Sequence, residues 1–232
     1  MNNLSIAKTT FIRLKKLFVC IVYCFACLVL ACGLSSCKKT VDYFSYVSEL
    51  RDNIFLGANE TLQLRVYAIK KESPYLTDGI PCEKNVRTEL HLCAPAGDKT
   101  CTVSFQINGT AISGEMSYDN VKGEYFFAYP ISCSELSSID FVLVYGEETF
   151  TISTNSVKEK ATLSPQIILN SIIEKETELF SAMTDKYGFT GEIYMRLIYE
   201  DAPFYYVGII ERNGNVTAFL LNANTGKILA KR

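Results

Sequence analysis

Short runs in which apolar and polar residues alternate constrain the fold of this chain more than any other feature of its sequence. The first run covers residues 62–68, where Leu62, Leu64, Val66 and Ala68 alternate with Gln63, Arg65 and Tyr67. Successive side chains of a β-strand point to opposite faces of a sheet, so strict alternation indicates a strand with one buried face. Comparable runs follow at residues 86–93, 101–107, 123–129, 139–145 and 148–153.

Turn-forming residues separate these runs. The connections include Pro95-Ala96-Gly97-Asp98, Asn108-Gly109 and Gly146-Glu147, and no helical period interrupts the series. Short strands with turns at this spacing are typical of an antiparallel β-sandwich. The chain has no tryptophan, so the Cys…Trp…Cys arrangement of true immunoglobulin domains is absent. We therefore predict that residues 43–155 form a β-sandwich that is Ig-like in architecture only.

A different pattern begins at Ser164-Pro165, where apolar residues start to recur with the helical period. Serine caps helix N-termini, and proline is tolerated at the first helical position. The pattern predicts an amphipathic helix of about six turns, with Gly188 as its left-handed cap. Three strands are expected after it, at residues 192–199, 204–211 and 215–221, with Asn213-Gly214 as a two-residue type I′ turn between the last two.

These elements predict a second, smaller domain in residues 164–232, in which a helix covers an antiparallel sheet. The polar residues 156–163 are the expected linker between the two domains. The expected fold class of the whole chain is therefore mainly β with an α+β part.

The first 37 residues carry the features of an export signal. Residues 17–34 include no charged residue, four basic residues precede them, and the first acidic residue of the chain is Asp42. A basic region, an apolar region and small residues before a cleavage point are the parts of a secretory signal. The segment Leu34-Ser35-Ser36-Cys37 resembles the lipobox of bacterial lipoproteins, in which the cysteine thiol takes a diacylglycerol and becomes the new N-terminus. The resemblance implies lipidation at Cys37.

This interpretation divides the N-terminal part into a signal peptide (1–36) and a tether (37–42). It predicts a chain that is lipid-anchored to the cell membrane, with its folded part on the extracytoplasmic face. Cys32, after Val29-Leu30-Ala31, is a second candidate for lipidation. The alternative is an uncleaved apolar helix, and both interpretations leave the positive charges on the cytoplasmic side.

The C-terminal residues resemble a known family of extracytoplasmic domains. Residues 205–214 (YYVGIIERNG) and 216–229 (VTAFLLNANTGKIL) are similar to the C-terminal half of PepSY and PepSY-like domains. Those domains have a helix followed by strands, and they close on a Thr-Gly-Lys turn before an aliphatic strand. The resemblance implies a non-catalytic module that regulates peptidases or mediates contacts near the envelope, and it implies no catalytic residue.

The sequence offers little to an enzyme site. His91 is its only histidine, which excludes a two-histidine metal site and requires any Ser-His-Asp or Cys-His site to use it. No nucleophile-elbow, zinc-protease or P-loop motif occurs. Alternation places His91 on the same side as Glu89, opposite Leu90 and Leu92, so we expect an exposed strand histidine. We therefore predict no enzyme, no catalytic residue, no metal site and no cofactor.

Four cysteines follow the signal segment, namely Cys82, Cys93, Cys101 and Cys133. The absence of a C-x-x-C pair argues against a thioredoxin-like or zinc-ribbon site. An even number of cysteines in an exported chain suggests disulfides. Cys93 and Cys101 flank a hairpin loop, which favours the pairs Cys93–Cys101 and Cys82–Cys133, although alternation places Cys93 and Cys101 on opposite faces. Four free thiols are the alternative.

Aromatic residues are the remaining candidates for binding. The chain has 14 tyrosines and 14 phenylalanines, and an exposed platform for a peptide or glycan would need Tyr125 and Tyr205 to point outward. Packing within the sheet is the alternative. The balance of 23 basic and 25 acidic residues gives no support for a nucleic-acid partner.

Together these features predict a non-enzymatic, membrane-anchored surface lipoprotein. We expect it to act through contacts with an unknown envelope protein, including the peptidase regulation that the PepSY resemblance implies. The alternative is a ligand-binding or adhesive surface protein that recognises a peptide or a carbohydrate.

Overall fold

The alternating runs form β-strands, and the chain is mainly β as predicted. The computed structural model describes residues 41–74, 79–95 and 99–232. The signal segment, with Cys32 and Cys37, lies outside the described residues. The strands are β1 (Val47–Ala58), β2 (Gln63–Glu72), β3 (Lys84–Cys93), β4 (Cys101–Ile107), β5 (Thr110–Glu115), β6 (Ser117–Asp119), β7 (Glu124–Tyr129), β8 (Ser138–Tyr145), β9 (Glu148–Ser156), β10 (Thr184–Asp185), β11 (Gly188–Phe189), β12 (Glu192–Tyr199), β13 (Pro203–Ile210), β14 (Val216–Asn222) and β15 (Ile228–Lys231).

Two short helices follow β9, α1 (Pro165–Lys175) and α2 (Thr177–Ala182). The predicted start is confirmed, because Ser164 Oγ accepts a hydrogen bond from the N–H of Ile167 and proline occupies the first turn. The prediction of one helix of about six turns is wrong. Glu176 has non-helical backbone angles (φ −116°, ψ 40°) and separates the two helices.

A tight hairpin replaces the last part of the predicted helix. Asp185 Oδ1 accepts hydrogen bonds from the N–H groups of Tyr187 (2.7 Å) and Gly188 (3.2 Å). Local bonds of this kind compete with the helical ones, so the chain turns between β10 and β11 instead of continuing as a helix. Gly188 is therefore not a helix cap, and its φ of +137° belongs to the hairpin.

Strand β1 lies at the centre of the sheet. Its first half pairs in parallel with β12, where Leu50 lies opposite Met195, and most of its length pairs antiparallel with β2. The main path runs in the order β15-β14-β13-β12-β1-β2-β3-β7-β6. The end of β1 also pairs with β9 at Phe55 and Leu56, and from β9 the pairing continues through β8 and β4 to β5.

Two hydrophobic cores lie on this sheet. In the first, which we call the sandwich core, Val66 and Leu90 of the main path pack against Phe141 from the layer formed by β9, β8, β4 and β5. In the second, the helix-side core, Ile168 of α1 packs with Leu50 and with Met195 of β12. Residues 41–232 form one compact unit in which β1 contributes to both cores. A division into domains at residues 156–163 stays a prediction about independent folding.

The sandwich core and most of the helix-side core lie on one side of the main path, which we call its inner face. Ile54 of the helix-side core is an exception, because it pairs with Tyr67 and points to the opposite face. Leu50 of the helix-side core pairs with Lys70 of β2. Lys70 shares one face of β2 with Val66 of the sandwich core, because side chains four residues apart in a strand point the same way. The opposite, outer face of the main path therefore remains partly exposed.

Two hairpin turns contain an Asn-Gly pair, and only one of them is a two-residue turn. Between β4 and β5, Asn108 (φ +48°) and Gly109 (φ +81°) both have the positive φ that a type I′ turn requires. The predicted type I′ turn at Asn213-Gly214 is wrong. There the connection runs from residue 211 to 215, only Gly214 has a positive φ (+84°), and its N–H bonds to the carbonyl of Glu211.

Candidate functional site

The four cysteines of the folded part are free thiols in the structure. Cys101 and Cys133 are buried, and this burial raises the pKa of each thiol to about 11, so neither forms a thiolate near neutral pH. Cys93 is exposed at the end of β3, whereas Cys101 points into the sandwich core. The pairs Cys93–Cys101 and Cys82–Cys133 stay a prediction.

Tyr125 and Tyr205 do not form an exposed platform, so that interpretation is wrong. Both are buried, with 2% and 0% of their surface exposed. Tyr125 packs in the sandwich core and its hydroxyl donates to the carbonyl of Lys99. Tyr205 packs in the helix-side core, and burial raises the pKa of its phenol. The partly exposed aromatic residues are instead their neighbours on the other side of each strand, such as Phe126 and Tyr206.

The outer face carries a row of charged and aromatic side chains that crosses β13, β12, β1, β2, β3 and β7. Strand register places them on this face, because paired residues of neighbouring strands point the same way. We call this row the outer stripe, and its residues are Glu49, Arg51, Arg65, Tyr67, Lys71, Arg87, Glu89, His91, Glu124, Phe126, Tyr194, Arg196 and Tyr206.

Glu49 joins three strands through its side chain. Its carboxylate accepts a hydrogen bond from Arg196 Nε at 2.6 Å and lies 3.2 Å from Lys71 Nζ. Burial by itself would raise the pKa of Glu49. The hydrogen bonds and positive charges of Arg196 and Lys71 outweigh burial and lower this pKa. Glu49 is therefore ionised at neutral pH and links β1 to β12 and β2.

His91 lies between two buried carboxylates. Its Nδ1 is 2.7 Å from Glu124 Oε1, and its Nε2 is 3.7 Å from Glu89 Oε2. Arg65 pairs with Glu124 at 3.3 Å, and Arg87 pairs with Glu89 at 2.5 Å. Burial would raise the pKa of Glu89, but the close contact with His91 and the charges of nearby arginines lower it. The two carboxylates of this cluster therefore each have a cationic partner, and Lys122 Nζ also lies 3.9 Å from Glu124.

The predicted sheet face of His91 is confirmed, but the prediction that its side chain is exposed is wrong. His91 shares the outer face with Glu89, while Leu90 and Leu92 are buried in the sandwich core. Only 12% of the His91 side chain is exposed, because Glu124 and the neighbouring aromatic rings enclose it. Within the described residues, the imidazole has no hydrogen bond to a serine, threonine or cysteine. The pair of His91 and Glu124 therefore lacks the nucleophile that a catalytic triad needs.

Arg51 differs from the other basic residues of the outer stripe. Its guanidinium lies over the ring of Tyr67, 4.1 Å from the centroid. Its Nε is buried and has no hydrogen-bond partner. Among the described residues, no carboxylate lies within ion-pair distance of this guanidinium, whereas Arg65, Arg87 and Arg196 each contact one.

The aromatic rings of the outer stripe cross one another. The imidazole of His91 stands edge-on to Tyr67 (71°) and to Phe126 (66°), with 5.2 Å between centroids in each pair. Tyr194 and Tyr206 are tilted by 38°. A side chain at Gly208 would overlap the ring of Tyr194, so the glycine lets this ring lie flat on the neighbouring strand. The rings therefore fill gaps between ion pairs and do not form a coplanar platform.

The outer stripe is positive on an acidic body. Six of the 23 basic residues and none of the 25 acidic ones precede residue 41, so residues 41–232 hold 17 basic and 25 acidic side chains, a net charge of −8. In contrast, the stripe contains five lysines and arginines and three glutamates. Its arrangement suits contact with a negatively charged partner.

The sequence predicted only part of the outer stripe. Alternation in residues 62–68 set Arg65 and Tyr67 opposite the apolar residues, and register confirms this. Glu49 and Arg51 were missed because β1 was not predicted. A bulge between Arg51 and Asn53 interrupts the alternation of that strand.

Cavities also open on the surface, and one of them borders the outer stripe at Arg87. One of about 240 Å³ lies between the start of α1 and the inner face, and its lining residues are Phe44, Val47, Leu50, Asp52, Lys70, Lys84, Ser164, Pro165 and Gln166. Asp52 in this cavity accepts a hydrogen bond from Ser134 at 2.8 Å and lies 3.5 Å from Lys70 Nζ. A shallower depression of about 590 Å³ follows the ends of β3 and β7 and shares Lys84.

Metal sites, membrane-spanning helices and similarity to known proteins are the remaining features that could indicate a function. The residues that the structure describes include no cluster of histidine, cysteine, aspartate or glutamate side chains suited to hold a metal ion. In the same residues, no helix is long and apolar enough to cross a membrane. Comparison with protein-family models, curated proteins and solved structures found no match for this chain.

Proposed function

We propose that this protein is a non-enzymatic, lipid-anchored surface lipoprotein that acts by protein contacts in the cell envelope, through its outer stripe. The observation that carries the proposal is the one-sided arrangement of the sheet. The sandwich core and most of the helix-side core cover the inner face, and the outer face keeps charged and aromatic side chains partly exposed.

The composition of the outer stripe suits a protein partner. Tyrosine, phenylalanine and arginine are enriched in protein interfaces, and tyrosine and arginine are also enriched among their hot spots. Here the side chains already have fixed partners, as in the hydrogen bond between Glu49 and Arg196. Contacts with prearranged side chains lose less conformational entropy on binding.

The PepSY resemblance supports peptidase regulation as the form of this contact. The similar residues form β13, β14, β15 and the turn between the last two strands. In that turn Asn222 Oδ1 accepts hydrogen bonds from the N–H groups of Asn224 and Thr225, and Gly226 lies close to Ser171 of α1. The turn is thus held against the helix.

Site-specific photo-crosslinking in the producing cells tests the contact surface. A photo-reactive phenylalanine analogue replaces Tyr206 of the outer stripe in the full-length protein. The matched control carries the same analogue in place of Tyr187, which is 83% exposed and lies outside the stripe, in the β10–β11 turn. We expect one discrete protein adduct from the Tyr206 position and none from the Tyr187 position. Equal labelling from both positions, or from neither, would contradict a partner on the outer stripe.

A second experiment tests the anchor. Metabolic labelling with an alkynyl fatty acid is expected to tag the wild-type protein and not Cys37→Ala. Cys32→Ala is the matched control and is expected to keep the label. Labelling that survives Cys37→Ala would refute lipidation at this position.

The 240 Å³ cavity favours the second candidate function, a ligand-binding surface protein. Its apolar walls, with Lys70, Lys84 and Asp52, match an amphipathic end of a peptide that carries both charges. In this case a dipeptide such as Ala-Leu should raise the Tm of the wild type and not that of Lys70→Met. Lys160→Met, at an exposed site outside the cavity, is the control. A dipeptide that leaves the wild-type Tm unchanged would remove this candidate.

A further inference from the structure

Arg51 is the one arginine of the outer stripe that the described residues leave without a carboxylate partner. Glu49 and Glu89 are near enough to favour its positive charge. Both of these carboxylates already contact other cations, Glu49 with Arg196 and Glu89 with Arg87. Arg51 is therefore held in place without an anion of its own.

This arrangement is unfavourable in the free protein. Burial lowers the pKa of Arg51, which means that the charged form loses hydration. A desolvated charge without a paired anion destabilises a fold, and a buried N–H without an acceptor adds to that cost. The ring of Tyr67 compensates in part, because a cation over an aromatic face is attracted to it.

We infer that Arg51 is the receptor for a carboxylate of an acidic segment of the partner protein, an inference that rests on the proposed use of the outer stripe. Arginine offers several N–H donors in a planar fork that matches the two oxygens of a carboxylate.

The observations favour an acidic peptide over an anionic polysaccharide. A sugar ring stacks on a flat aromatic face, but the face of Tyr67 is occupied by Arg51 itself. The rings of His91 and Phe126 are crossed at 66° and expose no common plane. A glutamate or aspartate side chain needs only the guanidinium and the space above it.

Fluorescence anisotropy with fluorescein-labelled hexaglutamate tests this inference on the full-length protein in detergent micelles at low salt. We expect Arg51→Gln to weaken binding about tenfold or more, as loss of a charge-assisted contact does. Arg51→Lys keeps the charge without the planar fork and should lie between this variant and the wild type. The matched control is Arg212→Gln, which removes the same charge from an exposed position in the β13–β14 connection and should change affinity less than twofold.

Thermal unfolding of the same variants separates binding from folding. Because Arg51 loses hydration and has no carboxylate partner in the free protein, Arg51→Gln should have a Tm equal to or above that of the wild type, even though the contact with Tyr67 is lost. A large fall in Tm would show that Arg51 has a structural partner and would overturn the inference.

Three further outcomes would also overturn it. These are wild-type protein that does not bind hexaglutamate, Arg51→Gln that binds as tightly as the wild type, and hexagalacturonate that binds more tightly than hexaglutamate. The last result would assign the outer stripe to an anionic glycan. A crosslink from Tyr206 that persists while Arg51→Gln binds normally would refute the role of Arg51 alone and leave the proposed contact surface standing.

Discussion

The two faces of strand β2 show how differently the sides of one sheet are built. On the inner face, Leu64 and Val66 have at most 1% of their surface exposed and pack in the sandwich core. On the outer face, the side chain of Arg65 is 52% exposed and pairs with Glu124. Apolar burial stabilises by about 25 cal/mol for each Å² removed from water, whereas exposed ion pairs contribute about 0 to 1 kcal/mol. Most of the stabilising apolar burial therefore lies on the inner face, and the outer face can be specialised for contact at little cost to the fold.

The largest expected effect on stability comes from truncating a side chain in the sandwich core. Phe141→Ala should lower the free energy of unfolding by about 3–5 kcal/mol, because it leaves a cavity in the sandwich core. Urea denaturation measures the change. The neighbouring Val142 points out of the core and is 40% exposed, so Val142→Ala should stay within about 0.5 kcal/mol of the wild type. Similar losses from both variants would show that the core side of β8 contributes no more to stability than its exposed side.

A medium effect is expected where the outer stripe is most buried. Glu124→Gln removes the charge that His91 and Arg65 contact, and it should lower the free energy of unfolding by about 1–2 kcal/mol. The effect is limited because the cation of Arg65 is half exposed and retains water. Glu135→Gln, at an exposed site, is the control and should have no measurable effect. A loss as large as that of Phe141→Ala would mean that the outer face also determines stability.

The smallest expected effect is on the way stability falls at acidic pH. The pKa values of Glu49 and Glu89 are lowered in the folded protein from an ordinary value of 4.5. These carboxylates therefore stabilise the fold above the unfolded pKa, and this contribution is lost as the pH falls from about 4.5 through the folded pKa values. Urea midpoints measured over this range should decline less steeply for Glu49→Gln than for the wild type. Parallel declines would show that Glu49 takes no part in the acid dependence.

Alternation closely predicted β2, β3, β4, β7, β8 and β9, and also the three strands β12, β13 and β14, because most of them have one buried and one exposed face. The short strands β5, β6 and β15 were not predicted. In β8, residues from Ser138 to Tyr145 alternate strictly between exposed and buried. Strand β1 could not be found in this way. It pairs with three other strands, it is buried on both sides through most of residues 47–55, and its bulge shifts the alternation.

The sequence also does not show which residue of each aromatic triplet faces the core. In Phe204-Tyr205-Tyr206 and Tyr125-Phe126-Phe127 every residue is large and aromatic, so hydropathy does not tell which one faces the core. Register decides it, since Tyr205 pairs with Leu197 and with Leu221, both buried. The ion pairs of the outer stripe escaped prediction for a related reason, because Glu49 and Arg196 meet only through the pairing of β1 with β12.

The central position of β1 has a consequence for the order in which the protein folds. Leu50 of β1 pairs with Met195 of β12, a residue 145 positions later in the chain. Contacts between distant positions form slowly, because a long loop must close before they contribute. Strand β1 is synthesised first, and the edge that pairs with β12 stays open until most of the chain has been synthesised. Open strand edges pair readily with other chains, so nascent β1 is the segment that a holding chaperone would need to protect.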